Sequence, residues 1–389
     1  MRRRHPWIFS GAVDGVEGDA AAGDTVEVRS AEGEAMGRAS YSPNSQIRAR
    51  MWTFADEVID FEFLRRRVRL AIDQRAQLGF RLPGDTRQPR VETDAFRLIF
   101  AESDGLPGFI ADVYHDTLVM QCLAAGAEFW RNGLAEALAQ ETGLRQLLER
   151  SDADVRELEG LLPRAGPAGE GVASSVVISE HGLHFKVDLE HGQKTGFYLD
   201  QCNNRKRLRD LAKGRRVLDC FCYTGGFTLN ALRGEAESVL AVDSSASALA
   251  LAGENVALNG FSEARVEFRE ADVFEFLRRL RDQGRTVDLV ILDPPKFAPT
   301  AAHADKAARA YKDINLLAFK LLAPGGILMT FSCSGGVDRQ LFQKIVAAAA
   351  LDAGVDAQIV EQLSQGADHP IALQFPESSY LKGLICTRQ

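Results

Sequence analysis

Several common features are missing from this chain of 389 residues. Its six cysteines are scattered, with no C-x-x-C pair and no histidine at metal-ligand spacing, so neither a disulfide framework nor a metal site is predicted. No apolar run approaches the length of a membrane span, and Asp14 interrupts the short apolar stretch after the Arg-rich start. We therefore expect a cytoplasmic protein with reduced thiols, no export signal and no membrane partner.

Two further absences concern possible ligands. No G-x-G-x-x-G sequence occurs, which argues against a site built for a dinucleotide pyrophosphate. The net charge of −8 argues against a protein that coats nucleic acid indiscriminately. Residues 1–90 contain no lysine but 15 arginines, against 13 acids. An arginine-only segment suits contacts with phosphates and base edges, although a codon bias towards arginine explains it equally well.

The first 175 residues are predicted to form two domains. Residues 1–65 contain alternating strands, such as Thr25–Arg29 and Ile47–Trp52, between glycine-rich turns, and this pattern is typical of a small β-barrel. Residues 66–175 are predicted to form a small α/β domain and a linker. The individual elements expected here are a helix over 61–79, a β-hairpin over 94–125, a helix near 127–141 and the linker at 151–175.

Residues 176–389 alternate strands with helices, which predicts a doubly wound, Rossmann-like α/β domain with a parallel sheet. Four apolar runs of this domain end in polar residues, namely Asp219, Asp243, Asp293 and Cys333. Functional groups of parallel sheets gather at the carboxyl ends of the strands. These four residues are therefore candidates for a functional site.

The first of these runs leads into a candidate cofactor loop. Asp219 is followed by Tyr223, Gly225 and Gly226 at the start of a helix, where glycine lets the backbone approach a ligand closely. Asp243 ends the next strand and can accept hydrogen bonds from both hydroxyls of a ribose. The missing pyrophosphate motif favours a nucleoside tail without phosphate, such as that of S-adenosylmethionine.

Asp272 follows the third strand of this order and can accept from the amino group of adenine. A single acid at a strand end is more often a turn or capping residue than a ligand-binding one. Three acids at consecutive strand ends reverse that expectation, and we predict a nucleoside cofactor site.

The run that ends at Asp293 continues as Pro-Pro-Lys296-Phe297. A carboxylate before such a rigid turn is typical of enzymes that methylate exocyclic amines, with Phe297 placed to stack on a flipped base, although an aromatic residue there packs at least as often. Cys333 points to a different reaction. A thiolate can add to carbon 6 of a pyrimidine and activate carbon 5, but Cys333 is also compatible with a small buried hydrophobe.

Taken together, these motifs resemble a known family. The chain resembles the PUA-domain, S-adenosylmethionine-dependent methyltransferases that make 5-methylcytosine in large-subunit ribosomal RNA. The resemblance covers nearly the whole chain and is carried by the segments His5–Gly11, Ala101–Gly108, Glu149–Asp152, Gly192–Asp200 with Asn204 and Arg205, Asp219–Phe227, Asp293–Phe297, Phe331–Ser334 and Ser379–Gly383.

The resemblance implies roles for particular residues. It implies a PUA-like RNA-binding barrel, a middle domain and a methyltransferase domain, with Cys333 as nucleophile and Asp293 holding the cytosine. The segment Gln193–Asp200 would close over the cofactor or the base, with Phe197 towards the cofactor. Candidate substrate-binding residues are Lys194, Lys296, Phe297, Arg3, Arg4, His5 and Trp7. Large-subunit ribosomal RNA is the implied partner, and a homodimer stays open.

Two departures from the family pattern accompany the resemblance. Other RNA cytosine-C5 methyltransferases carry a second cysteine after the Asp-Pro step, where this chain has Pro295 and Lys296. Product release would then use another base, unless Cys333 forms no covalent bond. The family also has a strand ahead of the Arg-Arg-His-Pro-Trp run, so the barrel is expected to lack its opening strand unless the start codon is misplaced.

Two other functions stay open from the sequence. The first is an exocyclic-amine methyltransferase that uses the Asp293 loop and does not need Cys333. The second is an RNA-binding assembly factor whose methyltransferase domain has lost activity. The segment Tyr311–Asn315 is expected to start the helix after the Asp293 loop, where it either lines the substrate cleft or only begins the helix.

Overall fold

The structure is a computed structural model that describes residues 4–169, 171–297 and 304–389. The chain forms two compact units. The first contains Met1–Gly182, Val187–Asp200 and Ala367–Ser378, and the second contains Leu183–Lys186, Gln201–Gly366 and Ser379–Gln389. Both units are discontinuous along the chain, whereas the sequence predicted three consecutive domains with boundaries at residues 65 and 175. Those boundaries stay a prediction.

The N-terminal sheet of the first unit is antiparallel and has the strand order β1-β4-β3-β2. Its strands are β1 (Trp7–Phe9), β2 (Thr25–Arg29), β3 (Ala35–Tyr41) and β4 (Ile47–Thr53). The alternation predicted for Thr25–Arg29 is confirmed by its burial pattern. The alternation predicted for Ile47–Trp52 is wrong, because β4 is buried on both faces from Ala49 onward: Ala49 and Met51 form a small apolar core with Ile8 and Ala39, and Trp52 packs in a second core.

Where the structure describes it, this unit has three α-helices: α1 (Phe61–Leu78), α2 (Ala125–Phe129) and α3 (Arg131–Thr142). The Asp60 carboxylate caps the first helix by accepting from the Phe63 amide at 2.8 Å, and Gly79 ends it with a φ of 104°. The helix predicted over 61–79 is thus confirmed. The helix predicted near 127–141 is present but is divided at Trp130.

A second sheet of the same unit has the order β5-β6-β7-β8-β9. Its strands are β5 (Ala95–Phe100), β6 (Phe109–Tyr114), β7 (Thr117–Cys122), β8 (Gln146–Ser151) and β9 (Arg164–Pro167). The predicted hairpin is wrong, because β6 lies between the two expected strands and pairs with both. Every residue of β6 except Ile110 is buried. Such a fully buried strand does not show the alternation by which exposed strands are found in sequences.

The predicted linker at 151–175 is also wrong over much of its length. Residues Asp154–Glu159 form a 3-10 helix, and β9 joins the sheet beside β8. Arg156 is buried and donates to the Leu162 carbonyl oxygen through Nε at 2.9 Å and Nη2 at 2.7 Å. These bonds organise a segment whose glycine, proline and alanine content suggested none.

β10 (Ser175–Glu180) and β11 (Leu183–Asp188) follow where the chain passes from the first unit to the second. The sheet of the second unit has seven strands in the order β14-β13-β12-β15-β16-β18-β17. Its strands are β12 (Arg216–Cys220), β13 (Ser238–Asp243), β14 (Val266–Glu270), β15 (Val287–Leu292), β16 (Leu322–Ser332), β17 (Ala357–Leu363) and β18 (Lys382–Arg388). The first five are parallel, and β18 runs antiparallel between β16 and β17.

The described residues of this unit form six α-helices: α4 (Cys202–Ala212), α5 (Gly226–Arg233), α6 (Ala246–Leu258), α7 (Val273–Asp282), α8 (Ala304–Leu321) and α9 (Arg339–Ala353). Apolar side chains of α7, α8 and α9 pack against one face of the sheet in a single core with Leu218, Val290 and Leu328. The order places β12 and β15 at the centre, where the chain direction across the sheet reverses. In open α/β sheets, ligands bind at the carboxyl ends of the strands at such a reversal.

The four runs predicted as parallel strands ending at Asp219, Asp243, Asp293 and Cys333 are confirmed as parallel strands, although β15 and β16 end at Leu292 and Ser332, one residue before Asp293 and Cys333. No helix among the described residues combines the length and the apolar composition needed to cross a membrane.

Candidate cofactor and reaction site

The predicted site residues of the second unit lie at one edge of its sheet. Asp243 is the last residue of β13, whereas Asp293 and Cys333 directly follow β15 and β16. In the β15–β16 ladder Leu292 lies opposite Thr330, so Asp293 and Cys333 leave the sheet at the same edge. The parallel pairing thus brings together residues that are far apart in the sequence.

Asp219 is buried within β12, next to the loop that follows it. Its Oδ2 accepts from the Thr228 hydroxyl at 2.7 Å. The pKa of Asp219 is raised to about 7, chiefly by burial and also by the charges of Asp293 and Asp243, against the lowering effect of the Thr228 hydrogen bond. The three carboxylates therefore form one negatively charged cluster at the strand ends.

Two buried oxygens near this cluster have no hydrogen-bond partner among the described residues. They are Oδ1 of Asp219 and the hydroxyl oxygen of Thr224. Buried polar atoms are normally paired, so unpaired ones at a strand-end loop point to a ligand. The amino group of a methionine moiety and a cationic sulfonium both suit a site of acidic acceptors. The residues present therefore fit S-adenosylmethionine.

The loop after β12 is held in an unusual backbone conformation. Phe221 and Tyr223 have positive φ values of 62° and 49°. The Tyr223 amide donates to Oδ2 of Asp243 at 2.9 Å, and the Ser245 amide donates to Oδ1 of the same carboxylate at 3.0 Å. Each carboxylate oxygen keeps a lone pair, so Asp243 can still accept from ribose hydroxyls. Strained residues of this kind concentrate at ligand sites.

Gly225 and Gly226 complete the loop and begin α5. Gly225 has a φ of 84°, and a Cβ there would lie 3.1 Å from Cδ1 of Leu229 and 3.2 Å from Cβ of Ala252. Glycine at position 225 is thus required both by the backbone conformation and by close packing. Gly226 is buried as the first residue of the helix.

Asp272 is exposed and caps α7, since its side chain accepts from the Glu275 amide at 3.0 Å. Asp272 therefore has the helix-capping role that the sequence analysis gave as the alternative to binding adenine. The same carboxylate has further lone pairs that can accept from the amino group of adenine. That contact stays a prediction.

The Asp293 loop places its residues in different surroundings. Asp293 is half-buried, and Lys296 is exposed. Phe297 is half-buried and its ring lies 4.8 Å from the ring of Tyr311 and 5.9 Å from that of Phe274. These contacts correspond to the packing role that the sequence left open for Phe297. The loop is described only as far as residue 297.

Cys333 differs from every other cysteine of the chain. It is partly exposed, whereas the other five thiols are buried. Burial raises the pKa of the Cys220 and Cys222 thiols well above the usual range. Cys333 therefore does not correspond to the buried hydrophobe that was the alternative to a nucleophile.

Two side chains near Cys333 were missed or misplaced by the sequence analysis. Tyr311 lies in the middle of α8 rather than at its start, and its hydroxyl is 2.9 Å from the Ser334 hydroxyl oxygen. Lys382 begins β18, and its Nζ donates to the Ser334 carbonyl oxygen at 2.7 Å. The only sequence signal for Lys382 was its place in the segment Ser379–Gly383, which gave no role for it.

The predicted residues Lys194 and Phe197 belong to the first unit. Nζ of Lys194 lies 3.2 Å from Oδ2 of Asp200 and 4.3 Å from the centroid of the Tyr198 ring. Phe197 is buried, and its amide donates to the Tyr114 hydroxyl oxygen at 3.1 Å. Their predicted roles towards cofactor and substrate stay predictions.

Of the RNA-binding residues predicted at the N-terminus, Arg4, His5 and Trp7 lie in the first unit. Arg3 lies outside the described residues. Arg4 is exposed, with a φ of 51°, and His5 contacts Glu377 at 3.1 Å. The Trp7 indole donates to Oε1 of Glu102 at 2.7 Å and is half-buried. Trp7 is therefore engaged within the protein, and its predicted contact with RNA remains a prediction.

The arginines of the N-terminal segment are mostly paired with acids. On α1, Arg65 and Arg69 both donate to Glu141, and Arg66 donates to Glu57 at 2.6 Å. A further guanidinium, that of Arg50, is buried between Glu102 and Glu159 at 2.9 and 3.0 Å. The arginine-rich composition thus has a structural role in this unit, which neither of the two sequence interpretations proposed.

Comparison with known families agrees with this geometry. A model for S-adenosylmethionine-dependent methyltransferases matches residues 167–371, and a model for PUA-like domains matches residues 1–54. The strand order, the acidic strand ends and these two matches define an S-adenosylmethionine-dependent methyltransferase that also carries a PUA-like domain.

Full-length relatives narrow the assignment. The chain is 51% identical over 388 residues to ribosomal RNA large subunit methyltransferase I of Tolumonas auensis, covering 99% of this chain and 96% of the relative. It is 49% identical over 387 residues to the protein of the same name from Aeromonas salmonicida, with the same coverage. The chain belongs to the ribosomal RNA large subunit methyltransferase I family.

Solved structures support the fold. A methyltransferase from Streptococcus mutans superposes with a TM-score of 0.84 at 19% identity, over 99% of this chain and 96% of that chain. A second methyltransferase structure, complexed with SAH, gives 0.85 at 20% identity with the same coverage. At these identities the likeness shows the fold alone.

Proposed function

We propose that this chain transfers a methyl group from S-adenosylmethionine to carbon 5 of a cytosine in large-subunit ribosomal RNA. The names of its relatives give that RNA as their substrate. The observation that carries the carbon-5 assignment is the position of Cys333. It is the one cysteine of six that is not buried, and it follows the strand beside the one that leads to Asp293.

The chemistry of cytosine explains why a thiol is needed. Carbon 5 is a poor nucleophile until a thiolate adds to carbon 6, which moves the electrons of the ring double bond towards carbon 5. S-adenosylmethionine, when bound, supplies an electrophilic methyl group. The proton on carbon 5 then leaves to a base, and the bond between sulfur and carbon 6 breaks, which restores the thiolate of Cys333.

The remaining residues have supporting roles in this proposal. Asp293 accepts from the amino group of the cytosine and fixes the ring beside the sulfur. Asp219, Asp243 and the Tyr223–Gly226 loop hold the cofactor. The PUA-like domain binds folded RNA mainly through phosphate contacts and shape, and the base is recognised after it leaves the stack. A cytoplasmic location and a homodimer stay predictions.

The test combines gene deletion with nucleoside analysis. Ribosomal RNA from a deletion strain is digested and measured by mass spectrometry, before and after complementation with wild type, Cys333→Ala or the control Cys202→Ala, in which a buried thiol is removed. We expect 5-methylcytidine to be lost on deletion and restored by wild type and by Cys202→Ala but not by Cys333→Ala. Calorimetry should show that Cys333→Ala still binds S-adenosylmethionine.

Other outcomes would support the other functions. If an N-methylated nucleoside disappears on deletion and Cys333→Ala restores it, the chain is an exocyclic-amine methyltransferase. If purified wild-type protein does not bind S-adenosylmethionine, the assembly-factor function is favoured instead.

A further inference from the structure

Lys382 is a buried lysine at the edge of the sheet where Cys333 lies. It is the first residue of β18 and only 5% exposed. In the antiparallel ladder Lys382 lies directly opposite Ser332, the last residue of β16. Residues opposite each other in such a ladder project to the same face. The lysine therefore emerges beside the point where the chain leaves β16 towards Cys333.

The ammonium group is fixed by two backbone carbonyls. Nζ donates to the carbonyl oxygen of Ser334 at 2.7 Å and to that of Tyr380 at 2.8 Å. An ammonium group has three N–H donors, so one remains after these bonds. Within the described residues no carboxylate lies within ion-pair distance of Lys382. A buried cation without an anionic partner is costly, which suggests that an anion is present during function.

The charged groups around Lys382 identify that anion. The pKa of Lys382 is lowered to about 8, chiefly by burial and also by the charges of Lys296 and Arg339, against the raising effect of the charges of Cys333 and Asp338. Asp338 accepts from the Leu341 amide at 2.7 Å and caps α9. Burial raises the pKa of Tyr311 to about 12, so its hydroxyl stays neutral. Of the two acidic groups that act on Lys382, Asp338 is engaged in this helix cap, and Cys333 directly precedes the residue whose carbonyl oxygen accepts from Lys382.

We propose that Lys382 is a positioning residue for Cys333, whose ammonium group keeps the sulfur deprotonated and fixed at the end of β16. The inference rests on the proposed function, because it assigns the thiolate that function requires. The thiol proton goes to solvent, and Lys382 keeps its own proton. A neighbouring lysine is a known cause of a lowered thiol pKa.

The test measures the thiol itself and does not depend on RNA. The full-length protein is treated with iodoacetamide over a pH series, and alkylation of the Cys333 peptide is followed by mass spectrometry. In wild type we expect half-maximal rate below pH 8.5, the value for a free cysteine. In Lys382→Met the pH of half-maximal alkylation, the midpoint, should rise by about one unit, which lowers the alkylation rate at pH 7 about tenfold. Lys382→Arg should retain most of the wild-type rate.

Two comparisons control this measurement. Lys344→Met removes an exposed lysine of α9 and should leave the profile unchanged. Thermal unfolding of each variant shows whether the fold is kept. If Lys382→Met does not fold, the role of Lys382 is judged from two other measurements on folded protein. These are the pH of half-maximal Cys333 alkylation in wild type and the pH dependence of alkylation in Lys382→Arg.

The inference is overturned if wild-type Cys333 has its midpoint at or above pH 8.5, or if folded Lys382→Met reacts as wild type does. This result is separable from the proposed function. A lowered thiol midpoint that depends on Lys382 would stand even if nucleoside analysis showed a product other than 5-methylcytidine. Conversely, deletion could abolish 5-methylcytidine while the alkylation rate of Cys333 is half-maximal at pH 8.5 or above. Those two results together would retain the proposed function and reject the role of Lys382.

Discussion

The Thr228 hydroxyl donates to Oδ2 of Asp219 at 2.7 Å, while Oδ1 of the same carboxylate has no partner among the described residues. One oxygen is thus satisfied by the first turn of α5, and the other is left for a ligand. The arrangement couples the protonation of Asp219 to the stability of the protein, because burial raises its pKa from 3.8 to about 7.

The sign of this coupling gives the first prediction. The folded state binds the Asp219 proton more tightly than the unfolded state, so the stabilisation is complete below about pH 4 and is lost as pH rises to about 7. Asp219→Asn cannot titrate and should lack this loss, of which about 2.5 kcal/mol falls between pH 5 and pH 7.5. Denaturant unfolding of the cofactor-free protein at pH 5 and at pH 7.5 measures it. Equal pH dependence in wild type and variant would contradict the raised pKa.

Gly225 gives a prediction about the cofactor loop. Gly225→Ala forces a non-glycine residue into a φ of 84° and brings a Cβ within 3.1 Å of Leu229. We expect a loss of about 1 to 3 kcal/mol in stability and weaker binding of S-adenosylmethionine. The matched control is Gly253→Ala in α6, where a Cβ would meet nothing within 4 Å. That control should be slightly stabilising, by up to about 1 kcal/mol, and a similar loss in both variants would reject the argument.

Asp272 tests capping against cofactor binding. Serine is as good an N-cap as aspartate, so Asp272→Ser should keep the stability that Asp272→Ala loses, about 1 kcal/mol. If Asp272 also accepts from adenine, both variants should bind S-adenosylmethionine several-fold more weakly, because a hydrogen bond of about 1 kcal/mol is lost. Thermal unfolding and calorimetry separate the two effects. Unchanged affinity in Asp272→Ser would leave Asp272 as a cap alone.

Trp7 tests whether the N-terminal aromatic residue serves the fold or the RNA. Trp7→Phe keeps an aromatic ring but removes the donor to Glu102, so we expect about 1 to 2 kcal/mol lower stability. Trp130→Phe is the control, because the Trp130 indole nitrogen is buried with no partner among the described residues. If Trp7 also contacts RNA, as the sequence predicts, folded Trp7→Phe should bind RNA more weakly than wild type. Unchanged RNA affinity would leave Trp7 as a structural residue alone.

Much of the second unit could be predicted because its signals are local. The buried runs that end at Asp243, Asp293 and Cys333 have the length and composition of parallel strands, and the structure places them as expected. The helix capped by Asp60 and Gly79 is equally local. By contrast, β6 escaped detection because it is buried on both faces and continues directly from a turn.

The sequence by itself determined the order of strand-end acids, the cysteine after β16 and the family to which they belong, because each depends on neighbours along the chain. Only the tertiary structure decided which side chains meet at the site. Lys382 comes to the end of β16 because β18 inserts antiparallel beside it, and Tyr311 reaches Ser334 because α8 packs on that sheet. Contacts between distant segments depend on packing that no local pattern records.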